Sequence, residues 1–83
     1  MTPGSPDDVR SRAELATFVR ALRQDLGRPE QPWENATLED FLTALASWIE
    51  DSGGRYRRFG ETLPADGDWT FFARALDAAT AYE

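Results

Sequence analysis

The groups able to do chemistry in this 83-residue chain are carboxylates, guanidiniums, hydroxyls and amides, because His and Cys are absent and every basic residue is Arg. That removes most general-base, nucleophile and metal-ligand repertoires. Asp66-Gly67-Asp68 could in principle ligate a hard cation, but the other oxygens of a calcium loop are missing, and a turn followed by a helix cap is the simpler account. Glu39-Asp40 and Glu50-Asp51 are paired acids that read as solvated charge, the first pair also suiting a helix N-terminus. A glycosidase-type pair would need a cleft that so short a chain has little room to build. No Gly-rich phosphate loop or Ser-centred elbow occurs. No catalytic residue, metal or cofactor is therefore assigned, and the chain reads as a non-enzyme.

One basic segment stands out, Arg55-Tyr56-Arg57-Arg58-Phe59. Interleaved Arg and aromatics can stack on bases and pair with phosphates. The rest of the chain opposes that use: 15 acids against 9 Arg give a net charge of −6, which repels nucleic acid and anionic lipid and favours a cationic protein partner. Arg without Lys, beside abundant Ala, resembles the coding bias of a GC-rich bacterium. No stretch is long and apolar enough to cross a bilayer, and Met1–Arg10 has no apolar core of a secretory signal. With no cysteine to oxidise, a cytoplasmic location is expected. Asn35-Ala36-Thr37 matches a glycosylation sequon, which in that setting is chance.

The elements that must position these residues are helical. Residues 1–10, with Pro3, Gly4, Ser5 and Pro6, read as a flexible arm, leaving 11–83 as one domain. The first helix opens on a Ser11–Glu14 capping box. It carries Leu15, Phe18, Val19, Leu22 and Leu26 at helical spacing and ends with Gly27 in a left-handed cap before Pro29. The second opens on Thr37 and Asp40, carries Leu38, Phe41, Leu42, Leu45, Trp48 and Ile49, and is expected to stop at Gly53-Gly54. Residues 52–66 then form a long connection of a kind unusual in a compact domain. The third is capped by Asp66 or Asp68 and bears two adjacent stripes, Trp69, Phe72, Ala73, Leu76 and Ala79 beside Phe71, Ala75, Ala78 and Tyr82. That arc is about twice the ~100° of an ordinary surface helix. The expected fold is all-α, a compact three-helix bundle or orthogonal array.

The doubled face of the third helix has two readings. Tyr56, Phe59 and Leu63 of the connection could fold over it. Alternatively Ala75 and Ala78, flanked by Phe71 and Tyr82, could admit a partner helix or a second copy. Trp33 either closes one end of the core or anchors an interface.

The run from Trp33 to Trp48, which reads W-E-N-x-T-L-x-x-F-L-x-A-L-x-x-W, resembles a family of small bacterial domains of unknown function (domain of unknown function 7660). The likeness extends to Glu14–Leu22 and to Trp69–Glu83. It implies a free-standing helical module and offers no catalytic residues to carry over. Small acidic single-domain proteins of this class are often immunity or accessory proteins, which is analogy of class. The expected function is a non-catalytic acidic protein-interaction module, such as an immunity or accessory protein for a larger bacterial protein. The alternative is a homodimer through the third helix, and behind it a small-ligand or metal-binding domain. The expected contact residues are Trp33, Glu34, Glu39, Glu50, Asp51, Phe71, Ala75, Ala78 and Tyr82.

Overall fold

The computed structural model describes residues 4–30 and 32–82. Helix α1 spans Arg12–Leu26, α2 Leu38–Arg58 and α3 Trp69–Ala79, preceded by a single 3-10 turn at Pro6–Asp8. No strand occurs among the described residues, and the fold is the all-α, three-helix arrangement that the periodicity predicts.

Each helix starts where a short polar side chain can satisfy an orphan amide. Ser11 Oγ accepts from the Glu14 amide at 3.1 Å, Thr37 Oγ1 from that of Asp40 at 3.1 Å, and Asp68 Oδ1 from that of Phe71 at 2.7 Å. The capping box at α1 is opened out, since the Glu14 carboxylate reaches back to the amide of Arg10, one residue earlier than the usual target.

The helix ends depart from expectation. Gly27 holds a right-handed conformation at φ −78°, and α1 stops without a left-handed cap. Gly53-Gly54 does not end α2, which runs on to Arg58. The two glycines cost about 1 kcal/mol each in propensity. That is offset because continuing the helix buries Ser52 and Tyr56, the latter against Phe71 with ring centroids 6.2 Å apart. The left-handed terminator is Gly60, at φ +66°. Its amide donates to Arg57 O and the Glu61 amide to Tyr56 O, at 3.1 and 2.8 Å, the paired bonds of a Schellman motif. The long connection shrinks accordingly to 59–68.

Residues 1–3 of the expected flexible arm lie outside the described residues. From Ser5 the rest of that arm folds onto the helices, because Val9 offers an apolar side chain to the core. Val9 is 4% exposed and clusters with Phe18, Leu22 and Ala73. Thr70 Oγ1 donates to its carbonyl, and Arg74 pairs with Asp7 at 2.7 Å.

Chain order and spatial order differ. Helix α3 packs on α1 on one side and on α2 on the other, while α1 and α2 make at most marginal contact with each other. Helix α1 runs alongside α3 in the same direction: Val9, before its start, meets Thr70, and Asp25, near its end, lies close to Asp77. Helix α2 runs the opposite way, with Asn35 before its start bonded to Thr80 and Tyr56 near its end against Phe71. The result is a layer of three helices, and the molecule measures 36 × 27 × 19 Å. The central position of α3 explains its doubled apolar arc. Ala73 and Leu76 face α1, while Phe71, Ala75 and Ala78 face α2.

Candidate protein-interaction surface

The Trp33–Thr37 segment ties all three helices together at one end of the layer. The indole N–H of Trp33 donates to Asp25 of α1 at 2.9 Å, and its ring stacks on Phe41 of α2 at 5.8 Å and 24°. The Asn35 side-chain amide donates to the carbonyls of Ala79 and Tyr82 at 3.0 and 2.9 Å, and its backbone amide to that of Thr80. Those of Ala79 and Thr80 are orphan acceptors at the end of α3, and that of Tyr82 lies just beyond it. Thr37 then caps α2. Trp33 is half-buried in the core, which is the end-closing role rather than that of an exposed anchor.

The other expected contact residues are dispersed. Glu34, Glu39, Glu50 and Asp51 are exposed, and Asp51 accepts a hydrogen bond from the Tyr82 hydroxyl, which holds that phenol protonated above its ordinary range. Phe71 and Ala75 are buried, and Ala78 and Tyr82 are half-buried beside them. The cover over this stripe comes from Trp48 and Tyr56, with Trp48 5.6 Å from Phe71 between ring centroids. Of the three residues expected to fold over it, only Tyr56 does so; Phe59 and Leu63 are exposed. Phe71, Ala75 and most of the Ala78 surface are therefore core contacts that a partner reaches only by opening the fold.

The basic segment is the last turns of α2 and the cap beyond, where Arg suits the negative end of the helix dipole. Arg55 pairs with Glu61 and lies over the rings of Tyr56 and Phe59, at 5.1 and 4.9 Å. Arg74 bonds the Tyr56 hydroxyl at 3.1 Å and Glu61 at 3.3 Å. Arg55 is thus engaged within the fold, while Arg57 and Arg58 are exposed. Asp68 serves as the α3 cap. No group of three or more potential metal ligands occurs among the described residues.

What sequence reasoning missed is an apolar face built from residues assigned to the core. Val19 and Leu26 of α1, Leu38, Leu42 and Ile49 of α2, and Phe72 of α3 are all exposed, Leu38 at 73% and Leu42 at 52%. Helical geometry places them together. On α1, Val19 and Leu26 lie on one flank of the buried Phe18–Leu22 line. On α2, Leu38, Leu42 and Ile49 lie on one flank of the Ala44–Trp48 line. With α1 parallel and α2 antiparallel to α3, both flanks turn to the same side of the layer, where Phe72 and Leu76 of α3 form the middle. Leu26, Trp33, Leu38 and Phe41 line one shared cleft of about 210 Å³ at its end. The opposite side carries the N-terminal turn and the Arg74 network. The sequence carries no signal for it, because the α1 and α2 stripes have the width of ordinary amphipathic helices.

No helix among the described residues is long and apolar enough to cross a membrane. Neither the curated proteins nor the solved structures compared include one that matches the chain. A family model does match, over residues 11–83, and its description is family of unknown function (DUF7660). The chain belongs to that family.

Proposed function

We propose that this domain is a non-catalytic protein-interaction module that works through the open apolar face of its helix layer. One observation carries the reading: Val19, Leu26, Leu38, Leu42, Ile49 and Phe72 are exposed, and helical spacing with α3 between α1 and α2 turns them to one side. A contiguous patch of that kind on a small domain marks a contact surface. The chemistry of the chain supports it, since the carboxylates and guanidiniums are spent on caps, on the Arg74 network and on solvated charge. The net charge of −6 suits a larger cationic protein, in the relationship of an immunity or accessory protein to a bacterial partner in the cytoplasm. Glu34, Glu39, Glu50 and Asp51 would supply steering at the edge of that contact.

The test is recovery of bound proteins from the native host by the tagged chain, against a Leu42→Glu/Ile49→Glu variant and a Glu34→Ala/Asp51→Ala variant. Both pairs are exposed, so circular dichroism should show the fold retained. A protein, including the untagged chain itself, recovered by the wild type and lost with the first variant supports the face. Equal recovery by all three removes it. A second reading, self-association, is favoured by the opposite charges that border the face on its two sides.

A further inference from the structure

We propose that the open face is covered by a second copy of this chain, docked face to face about a two-fold axis that runs along α3. The inference deepens the reading of this face as a protein contact, and it names the partner.

Three observations lead to it. The first is architectural. A helix buries its apolar stripe against another element, and stable domains are built from two packed layers. Here α3 packs on α1 and on α2 while those two make at most marginal contact, and beyond the end closed by Trp33 one side exposes Val19, Leu42, Ile49 and Phe72. A second identical layer supplies what is missing. The plan of the molecule, 36 × 27 Å, leaves room for the roughly 800 Å² per partner of a stable interface.

The second is the charge at the borders. Beside the apolar flank of α1 stand Arg12 and Arg23; beside that of α2 stand Glu39 and Glu50. All four are exposed, and none makes an ion pair among the described residues. The two borders of the face therefore carry opposite signs. A second copy meets both borders with the opposite sign.

The third is register. Arg12 and Arg23 are three helical turns apart, and so are Glu39 and Glu50, about 16 Å in each case. A two-fold axis along α3 sets α1 of one copy across from α2 of the other. These two run antiparallel, as they do within one chain. Arg23 and Glu39 both sit at the Trp33 end of the layer, so Arg23 meets Glu39 of the second copy and Arg12 meets its Glu50. Arg57, two turns beyond Glu50, falls past the start of the opposing α1. Phe72 lies nearest the axis, against its own counterpart. The contact is isologous, so every pair occurs twice and every substitution acts twice.

The experiment uses the full chain, which has no native cysteine, with Leu42→Cys as reporter. Thiol labelling in reductant is followed from low to high micromolar protein beside light scattering of the wild type. Fast labelling in dilute solution, with at least tenfold protection and a doubled mass when concentrated, is expected. A doubled mass with slow labelling throughout is the tight limit of the same dimer. A monomer that labels fast at every concentration overturns the second copy and leaves the face open for another protein. A monomer that labels slowly at every concentration shows that the face is not open, and both readings fall together. Orientation is tested by charge. Arg23→Glu and Glu39→Arg should each weaken the dimer on the order of tenfold, acting on two pairs, and the double swap in one chain should restore most of the loss. Additive weakening in the swap overturns the pairing of α1 with α2.

Discussion

Trp33 and Asp25 join the start of the α2 approach to the end of α1 through one indole-to-carboxylate hydrogen bond of 2.9 Å. Asp25 is 6% exposed, so its charge is held where water reaches poorly and the donor matters. A hydrogen bond to a charged group contributes about 1.5–3 kcal/mol. Trp33→Phe keeps a ring against Phe41 and removes the donor, and it should lower unfolding stability in urea by about that amount. A Trp33→Phe variant as stable as the wild type would show that the bond contributes nothing.

Asn35 has a directional role that charge exposes. Its side-chain amide donates to two carbonyls at the end of α3, where the helix dipole is negative. Asn35→Ala should cost about 1–2 kcal/mol for the lost donors. Asn35→Asp is nearly isosteric but places an anion against those carbonyls, so it should cost more than Ala at neutral pH. Thermal melts at neutral and acidic pH separate the two, because only the Asp variant should recover as its carboxyl gains a proton. An Asp variant milder than Ala would contradict the assignment.

Gly54 inside α2 and Gly60 just past its end should respond to alanine with opposite sign. Gly54 is exposed inside the helix, and a Cβ there meets its nearest neighbour, an Arg57 nitrogen, at 3.9 Å, an ordinary contact. Gly54→Ala should therefore stabilise by up to about 1 kcal/mol. Gly60 has open space around it but a φ of +66°, which L-residues adopt at a cost of roughly 1–2 kcal/mol. Gly60→Ala should destabilise by about that much. Urea midpoints for the two variants decide, and equal signs would refute the account.

The sequence is most informative where the physics is local. Ser11, Thr37 and Asp68 mark the three helix starts because capping needs only a side chain and an amide three residues on. The end of α2 is not legible because Gly53-Gly54 argues locally for a stop, while Tyr56 gains burial against Phe71 only once the tertiary fold exists. The place of Val9 is hidden for the same reason: one apolar residue after Pro6-Asp7-Asp8 has no periodicity to announce its packing beside Ala73. The open face was hidden more deeply. Val19, Leu38, Leu42 and Ile49 fit their stripes as well as any core residue, and their exposure follows from α3 lying between α1 and α2. That spatial order is decided by which helices pack, and spacing within one helix does not carry it.

The N-terminal turn should be part of the cooperative unit. Val9 packs with Phe18 and Leu22, and Val9→Ala leaves part of that space empty, costing about 1–2 kcal/mol by comparison with other core truncations. Removing residues 1–9 should cost more, since the Thr70 bond to Val9 O and the Asp7–Arg74 pair go with it. Chemical denaturation of both variants checks the order of effects. A truncated chain as stable as the full one would show that the turn only rests on the surface.

Asp77 gives the fold a destabilising charge whose sign against pH can be worked out. Burial first, then the nearby carboxylates of Asp25 and Asp7, push its carboxyl above the ordinary range. Its Oδ1 is buried without a hydrogen-bond partner among the described residues, and it sits in the last turn of α3, where the dipole opposes an anion. The folded chain therefore holds this proton more tightly than the unfolded chain, in which an Asp titrates near 3.9. As pH rises from about 4 the unfolded form ionises first, so stability falls until the folded pKa is passed and is level above it. Asp77→Asn removes the titration and keeps the shape. It should stabilise at neutral pH by at most about 1 kcal/mol, because part of the carboxylate still meets water, and the gain should vanish below about pH 4. Paired urea titrations of wild type and variant at the two pH values measure the difference. A variant that is less stable at neutral pH would mean that the ionised carboxylate holds the end of α3 in place, which is the opposite role.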